Sequence, residues 1–344
     1  MKILYGLAGE GFGHSSRARV LIRYLENKGH KVFILTHGQS LDILKRDGFK
    51  VIKVKGLKFT HNNGKIEKLK TIKKSFIISA VNIRHSLKIK RLMSKGFDLC
   101  ITDMAPLVSI ISTIYRLPLL SIDNQHLLVN FEVKAPKKYK RDFLMARLVT
   151  KTLAYRANWY IVINFAKAKV KKYYKQNTFL VPPIIRQRVK NIKVIKENFI
   201  LVYLSKKDER LIKILKQINE NFIVYGYNIE KKEKNLIFHR AGDHFLKDLA
   251  KCKAIIATSG FSLISEALYL KKPYFALPIL HFEQALNGIF LKKSGFGDYS
   301  EKPSKKQIIT FLKNLKNCEK NLKNYKVNHN RIFKILDKIL KKIL

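Results

Sequence analysis

The sequence predicts an α/β protein with two parallel sheets, each covered by helices, over residues 1–183 and 184–344. Short apolar runs alternate with segments of helical periodicity through both halves, as expected when helices cover strands buried on both faces. The length, 344 residues, exceeds one typical core. The Pro182-Pro183 pair in TFLVPPIIR disfavours helix and suits a crossing between the halves.

KILYGLAG is the first strand, and Gly9 to Gly13 form a glycine-rich turn. Ser15 or Ser16 is the expected cap of a helix running to Lys28 and closed by Gly29. Val20, Leu21, Tyr24 and Leu25 follow its period. KVFILTHG is the next strand, followed by a helix near Ser40 to Asp47 and a strand at KVIKVKG. Residues 61–95 interleave Lys65, Lys68, Lys73 and Arg84 with Ile66, Leu69, Phe76 and Val81. This pattern fits one or two amphipathic basic helices, which either pack on the domain or lie on a membrane surface. FDLCITDM, LPLLSIDNQH and WYIVIN are further strands, with a basic helical stretch at 136–157. The second series runs through NFILVYLS, NFIVYGYN and NLIFHRAG, and the tail from Lys305 to Leu344 has helical spacing.

The formal charge is +46, and only 15 of the 70 basic residues are arginine. A field this large attracts anionic surfaces. Nucleic-acid readers recruit the bidentate arginine fork, so nucleic acid is a disfavoured partner. An anionic membrane surface is the partner the charge suggests, and lysine filling solvated positions is the bland alternative. Cys100, Cys252 and Cys318 are widely spaced and odd in number. That excludes a disulfide framework and fits a reducing compartment. Met1 leads directly into a strand, so no signal peptide is expected. The apolar region 99–122 is broken by Asp103, Pro106, Arg116 and Pro118, too interrupted for a membrane span. The expected location is the cytoplasm, with peripheral attachment to the inner face of the membrane as an extension.

The most informative stretch runs from Ala254 to Gly297. It reads as a strand, a small-residue turn at Ser259-Gly260-Phe261-Ser262, a helix, a buried strand ending at Pro278, a polar loop and another helix. Helix N-termini present free N–H groups and a positive dipole end to anions. Glu266 lies four residues after Ser262, one turn along the same face. A carboxylate there accepts hydrogen bonds from a diol and repels phosphate. The pattern suggests phosphate at the turn and ribose beyond it.

In order, Ser259-Gly260-Phe261-Ser262, Glu266, Pro273 to Pro278, Glu283-Gln284, Asn287 and Gly295 resemble the nucleotide-sugar site of glycosyltransferases with the GT-B fold. The likeness is to families 1 and 28, which include the UDP-glucuronosyltransferases and the N-acetylglucosaminyltransferase of peptidoglycan synthesis, and to a microbial branch of such proteins. The resemblance implies two Rossmann-like sheets facing a central cleft, with the last helices returning to the first domain. By resemblance, Gly260 and Ser262 meet the diphosphate, Glu266 the ribose hydroxyls, and Glu283 and Gln284 hydroxyls of the donor sugar, with Ser259 and Asn287 also in the donor site.

Gly9-Glu10-Gly11-Phe12-Gly13-His14 has G-x-G-x-G spacing, and the second strand ends at Thr36-His37-Gly38 without an acidic residue. Both features argue against a dinucleotide fingerprint. The resemblance instead makes Gly9, Gly11 and Gly13 the glycine-rich loop, His14 the base and Asp103 its orienting carboxylate. Such a pair suits deprotonation of a hydroxyl. The chain contains no Asp-x-Asp, so no metal and no cofactor is expected beyond the nucleotide-sugar co-substrate. The resemblance implies inverting transfer to a hydroxyl acceptor, and the basic surface adds a lipid-linked or cell-envelope acceptor. A nucleotide-sugar 2-epimerase and a non-catalytic nucleotide-sugar sensor are the alternatives. Lys206-Lys207-Asp208 replaces the glycine-rich turn of many relatives. The Arg240-Ala241-Gly242-Asp243 loop is expected near the nucleobase, and Asp123-Asn124-Gln125-His126 either contacts acceptor or caps a helix.

Overall fold

In the computed structural model, the described residues are 1–10, 12–54, 61–62, 65–66, 91–94, 96–242, 244–279 and 282–343. The chain forms two compact units: Met1–Ile184 together with Asn328–Leu344, and Ile185–Val327.

The first unit opens with β1 (Lys2–Leu7), α1 (Phe12–Asn27), β2 (Lys31–Thr36), α2 (Gly38–Arg46) and β3 (Val51–Lys53). Helix α1 begins at Phe12, so Ser15 and Ser16 lie inside it and neither is its cap. The early start places His14 in the first turn and Arg17 one turn on. Gly29, at φ +81°, follows the helix in the left-handed conformation that ends many helices.

The pairs His61–Asn62 (β4) and Lys65–Ile66 (β5) form a small antiparallel ladder, where a basic helix was expected. The intervening sequence is Asn63-Gly64, a dipeptide that favours hairpins. Most of the remaining predicted basic helical stretch lies outside the described residues. Next come β6 (Leu99–Asp103), α3 (Pro106–Ile114), β7 (Leu119–Asp123), α4 (Leu127–Asn130), α5 (Lys140–Leu153), β8 (Trp159–Ile163) and β9 (Thr178–Val181). The sheet order is β3-β2-β1-β6-β7-β8-β9, and every neighbouring pair is parallel.

The second unit contains α6 (Gln187–Lys190), β10 (Ile200–Tyr203), α7 (Glu209–Leu215), β11 (Phe222–Tyr225), β12 (Lys231–Glu233), β13 (Leu236–His239), α8 (His244–Lys251), β14 (Ala254–Thr258) and α9 (Phe261–Tyr269). It continues with β15 (Tyr274–Leu277), α10 (Phe282–Lys293), β16 (Gly297–Tyr299), α11 (Lys305–Lys313) and α12 (Leu315–Asn324). Its order is β12-β13-β11-β10-β14-β15-β16. Only the β12–β13 pair at one edge is antiparallel. Ile200, Val202, Val224, Ile256 and Phe275 are fully buried in its core. Each contributes roughly 1.5–3 kcal/mol of transfer free energy.

The last helix, α13 (Arg331–Ile343), belongs to the first unit. Its Ile332, Leu336, Ile339 and Leu340 are buried at three- and four-residue spacing, an apolar stripe turned to the core. Tyr24 of α1 donates its hydroxyl to Asp337 at 2.7–2.8 Å.

Among the parallel strands of each sheet the order reverses once, between β1 and β6 and between β10 and β14. Open α/β sheets bind ligands beyond the C-terminal ends of strands at this switch point. Both groups of candidate site residues fall at these two places.

Candidate functional site

In the first unit, β6 ends at Asp103 beside the end of β1, where Leu7 pairs with Asp103 in register. Met104 follows at φ +57°, a left-handed conformation that is uncommon for a residue bearing a side chain. His14 comes from the first turn of α1. Its Nδ1 lies 2.8 Å from Asp103 Oδ1, with Asp103 fully buried and the His14 side chain 15% exposed. The expected pairing of these two residues is therefore present.

Arg17, absent from the sequence reading, completes the cluster. Its Nε lies 2.5 Å from Asp103 Oδ2 and its Nη2 2.6 Å from Oδ1. Burial opposes charge on Asp103, but Arg17 and then His14 outweigh it and hold the carboxyl below its usual range. Burial likewise opposes the Arg17 charge, and Asp103 more than compensates. The sequence signal was an arginine three residues from His14, on the same helical face. Placing the helix start at Ser15 or Ser16 hid it.

Gly9 packs against the end of β2. A Cβ there would lie 2.3 Å from His37 Cδ2 and 2.6 Å from its carbonyl oxygen, so only glycine permits the approach. Gly13 is in the first turn of α1, and Gly11 lies outside the described residues. In the Asp123–His126 segment the aspartate turns back on its own turn. Asp123 Oδ1 accepts from His126 N at 2.8 Å, and Oδ2 meets His126 Nδ1 at 2.7 Å and Ser121 Oγ at 2.6 Å. Burial opposes the Asp123 charge, yet His126 and Ser121 bring the carboxyl down to about 2.

In the second unit, β14 delivers Ser259 and Gly260 to the start of α9. Gly260 is the N-cap, with no side-chain capping bond and no acidic residue in the first turn. A Cβ on Gly260 would meet nothing within 4 Å, and its φ of −66° is ordinary. Glycine there leaves an open approach to the helix N-terminus rather than relieving strain. Ser259 is fully buried, and its Oγ has no hydrogen-bond partner, an unusual state for a buried hydroxyl. Ser262 is exposed. This end of α9 offers N–H groups and dipole to an anion.

Glu266 lies in the same helix with its side chain 7% exposed. Arg186, from the segment after Pro182-Pro183, grips it with Nε at 2.5 Å from Oε1 and Nη2 at 2.8 Å from Oε2. Its hydrogen bonds to Glu266 hold Arg186 above its usual range against burial. Two-oxygen acceptors keep further lone pairs after a bidentate contact, so hydroxyls can still donate to Glu266. Glu283 and Gln284 lie in the first turn of α10 rather than in a loop. Gln284 Oε1 accepts from Ile279 N at 2.9 Å, and Asn287 Nδ2 donates to Ser259 O at 3.1 Å. These bonds tie α10 to the ends of β15 and β14. Glu283 is exposed.

The turn after β10 is a helix cap. Asp208 Oδ1 accepts from Leu211 N at 2.9 Å, and Asp208 N donates to the Tyr227 hydroxyl at 3.0 Å. Beyond β13, Arg240 N donates to Glu230 Oε1 at 2.7 Å. The Phe245 ring sits edge-on to Tyr225 and Tyr203, at 5.0 and 5.6 Å. Asp243 lies outside the described residues. Among the described residues no cluster of three or more His, Cys, Asp or Glu is placed to hold a metal ion. No described helix is long and apolar enough to cross a membrane.

A family model described as glycosyl transferase family 1 matches residues 1–316. Solved structures share the fold at low identity. MurG from Acinetobacter baumannii is 14% identical, covers 99% of this chain and 100% of its own, and gives a TM-score of 0.65. The glycotransferase of kitacinnamycin is 11% identical over 98% of each chain, with a TM-score of 0.69. The spinosyn rhamnosyltransferase SpnG, complexed with thymidine diphosphate, is 11% identical over 98% of this chain and 100% of its own, at 0.62. No curated protein matches the chain by sequence.

Proposed function

Because the chain belongs to glycosyl transferase family 1 and has the GT-B fold, we propose that it transfers a sugar from a nucleoside diphosphate sugar to a hydroxyl acceptor. The observation that carries the donor half is the start of α9. There an uncapped N-terminus, an open glycine and a buried unpartnered serine hydroxyl stand nearly two turns before Glu266. Ser259, Gly260 and Ser262 would receive the diphosphate, Glu266 the ribose hydroxyls, and Glu283, Gln284 and Asn287 the rest of the donor. The Phe245 side of β13 would receive the base.

In the first unit His14 would take the acceptor proton. Asp103 fixes its ring, and transfer proceeds by direct displacement with inversion. The helix N-terminus stabilises charge developing on the departing diphosphate, which makes an essential metal unnecessary. The excess of basic residues supports a lipid-linked or envelope acceptor met at an anionic membrane surface.

The test is release of nucleoside diphosphate from a panel of UDP-, dTDP- and GDP-sugars with lipid and glycan acceptors, with and without chelator. The reading expects chelator-insensitive release from one donor class, inversion at the anomeric carbon, and loss in His14→Ala. Chelator-sensitive release, or retained activity in His14→Ala, would overturn those parts. Binding to anionic vesicles that survives physiological salt is the expected sign of the membrane association.

A further inference from the structure

Arg17 Nη2, His14 Nδ1 and Asp103 Oδ1 form a closed triangle. The sides are 2.7 Å from Nη2 to Nδ1, 2.6 Å from Nη2 to Oδ1 and 2.8 Å from Nδ1 to Oδ1. A guanidinium only donates and a carboxylate only accepts. A bare Nδ1 would accept from Nη2 but set its lone pair against the carboxylate oxygen at 2.8 Å; a protonated Nδ1 donates to Oδ1, which then accepts from both neighbours.

We propose that Arg17 is a positioning residue for His14: it neutralises and orients the buried Asp103 carboxylate, so that His14 takes the second arrangement, a neutral ring with its proton on Nδ1 and its Nε2 lone pair free. This rests on the reading of His14 as the base. A lone buried carboxylate would favour a second proton on the ring, and a doubly protonated ring cannot accept the acceptor's proton. The Arg17 charge opposes that second proton while the carboxylate still fixes the tautomer. Arg17 is 8% exposed, so its charge is committed to the carboxylate rather than to a ligand arriving from solvent.

Four groups bear on the cluster. Asp103 enters from β6 and Arg17 from α1. The Tyr5 hydroxyl, from β1, is fully buried, has no hydrogen-bond partner and is pushed up by burial and by Asp103. Asp123, from β7 with its partner His126, acts on Arg17 through its charge.

The test is long-range 1H–15N correlation of the histidine rings in the full chain, with His14 assigned by its loss in His14→Gln. In the wild type the Nδ1–H tautomer is expected. In Arg17→Gln the ring should gain its second proton about one pH unit or more higher than in the wild type, the size of an opposite-charge effect at this range. Arg17→Lys, which keeps the charge, should restore most of that change, and Asp103→Asn should move it the opposite way. A folded Arg17→Gln that titrates like the wild type would overturn the proposal. So would an Nε2–H tautomer in the wild type, which needs no Arg17 variant to fold. The ring is read without substrate. Retained transfer in His14→Ala would therefore remove the base assignment and leave these spectra untouched.

Discussion

The Arg186 guanidinium holds both oxygens of Glu266, with Nε at 2.5 Å and Nη2 at 2.8 Å. The side chains are unequally exposed, 45% for Arg186 and 7% for Glu266. Removing the arginine strands a buried carboxylate, whereas removing the acid frees a cation that water can reach. A fully buried pair would cost several kcal/mol to break. Solvent around Arg186 reduces that to about 1–2 kcal/mol. Arg186→Ala should therefore destabilise the second unit more than Glu266→Gln does, as denaturant unfolding of each variant would reveal. Equal losses would mean that solvent screens the pair completely.

Gly260 occupies ordinary backbone space with nothing in front of its Cα. Gly260→Val should cost no more than about 1 kcal/mol of stability while weakening donor binding at least tenfold, because its side chain fills the approach to the helix N-terminus. Calorimetric titration with the preferred donor reads the second effect and thermal unfolding the first. A variant that binds donor normally would take the diphosphate away from this turn.

His14→Ala should spare donor binding and lower transfer by roughly 10²–10⁴-fold, the usual contribution of a general base. Parallel binding and turnover assays separate the two. Loss of donor binding in this variant would mean that His14 serves the donor instead.

Asp123 is held at about 2, below an ordinary aspartate. A depressed carboxyl adds stability above its unfolded range and surrenders it as the pH falls toward the folded value. The first unit should therefore lose on the order of 2 kcal/mol between pH 5 and pH 2 through this group. Asp123→Asn should lose it at neutral pH and flatten the acid dependence. Trp159, the one tryptophan, lies on β8 in the first unit beside β7, so its fluorescence follows the relevant unfolding.

Much of the architecture was legible because parallel strands buried on both faces are continuous apolar runs. ILVY at β10, AIIAT at β14 and YFAL at β15 could hardly be anything else. The glycine and serine positions beside helix α9 were legible for a local reason, since a helix start is written in adjacent residues. The two arginines were not. Arg17 and Arg186 take their meaning from carboxylates 86 and 80 residues away, and in a chain with 70 basic residues neither stands out. Asp123-Asn124-Gln125-His126 left two roles open in the sequence because an aspartate at a strand end either caps or binds. The bonds from Asp123 to His126 N and Nδ1 hold both carboxylate oxygens within its own turn. The edge strands β12 and β16, three residues each, are too short to leave a periodic signal.

The central claim is a nucleoside diphosphate sugar at the start of α9. Thermal unfolding against a panel of such donors, with Glu266→Gln as control, tests it most directly. A donor at about 100 times its dissociation constant should add roughly 2.7 kcal/mol. The account predicts a selective rise in melting temperature with one nucleotide class, largely lost in the variant. No rise with any donor at saturating concentration, or an equal rise in Glu266→Gln, would contradict it.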